Sequence, residues 1–104
     1  MKGKGRWYLA GPMSGFPEHN FPLFHAETAR LRALGYDIVN PAEINTDAVA
    51  PDWAECLKRD IPQLCTCDGV IVLEGWSKSR GASLEVHIAR QLGMRLAAAE
   101  DIRE

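Results

Sequence analysis

Glu85 is an acid set on an apolar helix face. At 100° per residue, Gly81, Glu85, Ile88, Ala89 and Leu92 share one side of the helix that the pattern predicts over Ser83 to Leu92. A carboxylate about one turn from a helix start lies where exposed amides and the macrodipole favour an anion. Gly81, Ala82 and Ser83 leave room before it for a ligand. Such an acid either serves a ligand or leaves the core by snorkelling out or pairing with Arg80 or Arg90. Asp60 is a second acid out of place. It borders the stripe Trp53, Leu57, Ile61 and Leu64, near the partially negative C-terminal end of a helix. Its alternatives are a chemical role and an ion pair with Lys58 or Arg59. Tyr8 falls in the run Trp7 to Ala10, a buried strand by pattern, so its hydroxyl needs a partner: a catalytic acid or a backbone carbonyl.

The elements that must position these groups alternate. Strands are predicted over Trp7 to Ala10, Tyr36 to Val39, Gly69 to Leu73 and Arg95 to Ala99. Between them, a helix opens near Asn20 and Pro22, carries Phe24, Thr28, Leu31 and Leu34 on one face, and stops at Gly35. Asn40-Pro41 closes the second strand and a polar loop follows. In the next helix Pro62 cannot donate to residue 58, which predicts a kink or an early end. The order β-α-β-α-β-α-β predicts an α/β fold: an open, mostly parallel sheet of order 2-1-3-4 with helices on both faces, Rossmann/flavodoxin-like, as a single domain over 1–104. Such sheets bind ligands beyond the strands' carboxyl ends, where the order reverses. The loops there are Gly11 to Gly15 and Glu74 to Gly81, both rich in Gly and Ser. Gly11-x-x-x-Gly15 has neither the P-loop's Gly-Lys-Ser/Thr nor the dinucleotide spacing, yet can form a small anion nest. Trp76 either stacks on a base or packs, and Asp68 reads as a turn residue.

Composition narrows the classes. The 104 residues carry 14 Asp and Glu against 12 Lys and Arg, a net charge of -2 without a basic block, which argues against a nucleic-acid polymer as partner. With 46% hydrophobic residues the chain is too apolar for disorder, and no apolar run approaches the roughly 18 residues of a membrane span. The start carries no signal-peptide pattern. Cys56, Cys65 and Cys67 form no complete disulfide framework and no zinc pattern, and His19, His25 and His87 lack ligand spacing. We expect a cytoplasmic protein with no metal and no organic cofactor.

Tyr8-Leu-Ala-Gly-Pro-Met-Ser-Gly15, Asp60, Asp68-Gly-Val-Ile-Val-Leu73 and Ser79-Arg-Gly-Ala-Ser-Leu-Glu85 together resemble the nucleoside 2-deoxyribosyltransferase superfamily, most closely its small DUF4406 family of bacterial and phage proteins. The resemblance runs from Arg6 to Leu96. It implies cleavage or transfer at the N-glycosidic bond of a nucleoside or nucleoside 5′-monophosphate, with Glu85 as nucleophile, Asp60 aiding base departure and Tyr8 orienting the nucleophile. It further implies Ser79 and Gly81 at a phosphate, with Ser14 and Gly15, beside Gly11 and Met13, from the loop after the first strand. Asn40 is implied at the base. A carboxylate can attack the anomeric carbon as retaining glycosidases do, while a second acid serves the departing base. The alternative is a non-catalytic nucleotide-binding module. Relatives complete their sites across subunits, and a short open sheet leaves exposed edges, so we expect a homodimer or larger homo-oligomer.

Overall fold

The computed structural model describes residues 4–45 and 53–103. Four strands, β1 (Arg6–Ala10), β2 (Asp37–Val39), β3 (Gly69–Val72) and β4 (Arg95–Ala98), form an all-parallel sheet in the order β2-β1-β3-β4. The expected order therefore holds, and every strand boundary lies within one residue of expectation. β1 and β3 are central and buried because both their faces are covered. Trp7 and Leu9 pack with Phe24 and Leu31 of α1 (Phe21–Ala33) on one side. Tyr8 and Ala10 point the other way, toward Leu64 of α3 (Trp53–Leu64) and Ala82, Val86 and Ala89 of α4 (Arg80–Gln91). The period-2 alternation of one short strand thus sends the tyrosine to the α3/α4 side. Gly69 is required where it stands: a Cβ there would lie 2.5 Å from the Trp7 ring.

Three local expectations change. Of the kink or early end expected at Pro62, the early end does not occur; the helix runs on to Leu64. Pro62 and Lys58 are both exposed, so water can satisfy the carbonyl that loses its partner. The polar loop after Asn40 begins instead with a short helix, α2 (Pro41–Ile44), because Asn40 Oδ1 accepts from Ala42 N at 2.9 Å and Pro41 needs no donor in the first turn. The third is the buried face of α4. The helix begins at Arg80 rather than Ser83, and it buries Ala82, Glu85, Val86 and Ala89. Leu92 is 59% exposed, since the helix ends at Gln91 and Gly93, at φ +71, turns the chain away. Among the described residues no helix is long and apolar enough to cross a membrane.

Candidate active site

Ser79 sets the frame by starting α4. Its Oγ accepts from Ala82 N at 3.2 Å, an N-cap that places Glu85 in the second turn, facing the sheet. There the Tyr8 hydroxyl donates to Glu85 Oε2 at 2.5 Å. Tyr8 is fully buried and Glu85 is 5% exposed. The acid neither snorkels out nor pairs with an arginine: Arg80 instead stacks its guanidinium 3.6 Å from the Trp53 ring centre.

Asp60 arrives from α3, also 5% exposed. Asn45 Nδ2 donates to Asp60 Oδ1 at 3.0 Å and to Pro41 O at 3.0 Å, while Arg59 Nη1 donates to Asn45 Oδ1 at 3.4 Å. The ion pair open to Asp60 from sequence does not form. Lys58 pairs with Glu55, and Arg59 reaches the amide that holds the acid.

Burial governs the charge states. It pushes the Glu85 carboxyl up to about 8, against the lowering effect of the Tyr8 bond and with a further rise from the Asp60 charge. It pushes Asp60 up to about 6, opposed by the bond from Asn45, by the nearby Tyr8 hydroxyl and by the Arg59 charge. The Tyr8 hydroxyl rises well above the usual phenol value, first by burial and then by the Glu85 charge, so it remains a donor. Two acids with displaced titrations and a fixed phenol donor make a site able to move protons and to attack an electrophilic carbon.

The two acids border a cleft of about 820 Å³ beyond the carboxyl ends of β1 and β3. Gly11, Met13, Ser14 and Gly15 line it from the loop after β1, and Ser79, Gly81 and Glu85 line it from α4. Asp60 reaches it from α3. Tyr8 does not line the cleft and lies beneath Glu85. Asn40 is 1% exposed, its side chain caps α2, and it is absent from the cleft wall. Trp76 packs against the α3/α4 core and is absent from the cleft wall.

Several lining residues escape the sequence reading: Asn45, Trp53, His19 and Phe16; the cations Lys78 and Arg80 lie in the Glu74 to Gly81 loop expected at the crevice. The Asn40-Pro41 helix-start signal could have located Asn45, one turn further on. Among the described residues no three His, Cys, Asp or Glu side chains cluster as metal ligands. Cys65 and Cys67 are free thiols.

No curated protein matches the chain. The family described as Domain of unknown function (DUF4406) matches residues 5–98. That span holds all four strands, Tyr8, Asp60, Glu85 and every residue named on the cleft wall. The chain belongs to the DUF4406 family.

Proposed function

We propose that the cleft cleaves the N-glycosidic bond of a nucleoside or nucleoside 5′-monophosphate and passes the sugar to water or to a second base. The observation that supports this reading most is the buried Glu85, fixed by the Tyr8 hydroxyl at 2.5 Å and sharing one cleft with a second buried acid, Asp60. The motif resemblance to the nucleoside 2-deoxyribosyltransferase superfamily agrees with it. In the first step a Glu85 oxygen bonds to C1′ while the C1′–N bond breaks. The electron pair leaves with the base, which takes a proton from Asp60. In the second step water attacks C1′, Asp60 takes its proton and Glu85 departs as carboxylate. Tyr8 is the positioning residue, holding the attacking oxygen in one orientation. Ser79 keeps its hydroxyl proton free for a phosphate, because its oxygen serves the cap as acceptor.

The titration order shapes the kinetics. Asp60 at about 6 ionises before Glu85 at about 8, whereas the reactive form has Glu85 charged and Asp60 protonated. That form is roughly one molecule in a hundred at pH 7. A second reading draws on the same fact. A Glu85 that keeps its proton at neutral pH binds a ligand without attacking it, as a nucleotide-binding module would. Incubation with a panel of nucleosides and 5′-monophosphates separates the two. The enzyme releases free base, and Glu85→Gln lowers that rate by several orders of magnitude with nucleotide binding retained. Tight binding with no base released from any substrate supports the binding module and overturns the enzyme. Homo-oligomerisation and a cytoplasmic location belong to the same proposal. Exposed Leu96 on the edge strand β4, with exposed Leu92 just before it, supports the former. The free thiols of Cys65 and Cys67 agree with the latter.

A further inference from the structure

Between the glycine loop and α1, the chain does something costly. Glu18, His19 and Asn20 all lie in the left-handed region, at φ +53, +55 and +62. Residues with a Cβ pay for that conformation, and three in succession are sustained only where the surroundings hold them. The holding contacts are present. Asn20 Nδ2 donates to Pro12 O at 2.9 Å, His19 N donates to Phe16 O at 3.1 Å, and Phe16 N donates to Met13 O at 3.2 Å. The turn is therefore fastened to the loop that follows β1.

Its product is a half-buried imidazole on the cleft wall. The His19 ring centre lies 5.8 Å from that of Phe21, tilted by 54°. Phe16 and Phe21 line the cleft beside it. The same cleft is lined elsewhere by Lys78, Ser79 and Arg80, groups suited to an anion. A wall of flat rings suits a planar heterocycle instead. Asn40, implied at the base by resemblance, is committed to capping α2 and is absent from the wall, so the base needs another partner.

We propose that the left-handed turn Glu18–Asn20 is a strained device that holds His19 on the cleft wall to recognise the planar base of the substrate. This rests on the N-glycosidic reading above and adds to it the residue that distinguishes a nucleotide from a bare sugar phosphate. Because the strain serves the ligand rather than the fold, His19→Gly removes the ring while relieving the backbone.

The test measures binding of the 2′-deoxynucleoside 5′-monophosphates and of base-free 2-deoxyribose 5-phosphate, together with thermal melting. For His19→Gly, nucleotide affinity falls by between about fivefold and a hundredfold, as loss of a stacking ring implies. Affinity for the sugar phosphate stays unchanged and the melting temperature does not fall. Glu18→Gly, which relieves strain at an exposed residue off the cleft wall and keeps the His19 ring, does not lower the melting temperature. Equal weakening of both ligands, unchanged nucleotide affinity in His19→Gly, or a lower melting temperature in either variant overturns the proposal. Wild-type protein that binds the sugar phosphate as tightly as the nucleotides overturns the base wall alone. Wild-type protein that binds neither overturns the nucleotide reading, and this proposal with it.

Discussion

Replacing Glu85 by Gln should stabilise the folded protein, and the gain should grow with pH. Burial holds the folded carboxyl at about 8 against an ordinary value of 4.5. For an acid raised in this way, the contribution to stability is fully present below the unfolded value and is lost as pH rises through the folded one. Each pH unit inside that window costs about 1.36 kcal/mol, so moving from pH 5 to pH 8 removes roughly 3 to 4 kcal/mol from the wild type. Gln keeps the volume, can still accept from Tyr8 and has no charge to desolvate. Other titrations are shared by both proteins and cancel in the comparison. Against a total stability of about 5–15 kcal/mol the difference is large. At about 4–8 °C per kcal/mol for a domain of this size, the advantage of Glu85→Gln in melting temperature should widen by more than about 10 °C between pH 5 and pH 8. Thermal melts of both proteins at the two pH values measure it without any substrate. A variant that is destabilised equally at both would refute the reasoning, because Glu85 would then be a structural hydrogen-bond partner and not a desolvated acid retained for function.

Tyr8→Phe removes the donor to Glu85, a bond to a charged group worth about 1.5–3 kcal/mol, or one to two pH units. The wild-type kcat/KM profile should be flat between about 6 and 8. In the variant the falling limb should move from about 8 to higher pH and the rate at pH 7 fall about tenfold to a hundredfold; an unchanged profile removes Tyr8 from the mechanism. Ser79→Ala should cost about 1 kcal/mol through the lost cap and weaken 5′-monophosphates more than nucleosides, whereas equal weakening would leave Ser79 a cap alone. Light scattering at high micromolar concentration should find a homodimer or larger assembly, and a monomer would contradict the proposed assembly.

The parallel sheet was legible because its signals are local and repeated. Gly69 to Val72 is apolar on both faces, and the alternation of Trp7, Tyr8, Leu9 and Ala10 sends Tyr8 to one side whatever lies there. Glu85 and Asp60 stood out for a related reason, as charges on stripes that should be dry. What failed depended on where an element starts or ends or on a contact distant in sequence. α4 ends at Gln91 and leaves Leu92 as its C-cap, so Leu92's place in the 3.6-residue period no longer applied. Asn40 is implied at the base only by the resemblance, and in the structure its side-chain oxygen caps α2 instead of lining the cleft. Asn45 holds Asp60 across 15 positions, a pairing no local pattern encodes. The turn at Glu18–Asn20 gave no signal because none of its three residues is glycine, the type that normally marks a left-handed backbone.

Covalent trapping tests the central claim most directly. A 2′-deoxy-2′-fluoro-arabinonucleoside or its 5′-monophosphate should react at C1′, and its electron-withdrawing fluorine should slow release of the sugar from the protein. Mass analysis after proteolysis should find one added sugar, located on Glu85, in the wild type and none in Glu85→Gln. Free base released by the wild type with no adduct at Glu85, or with the sugar on a different residue, would contradict the assignment of Glu85 as the nucleophile.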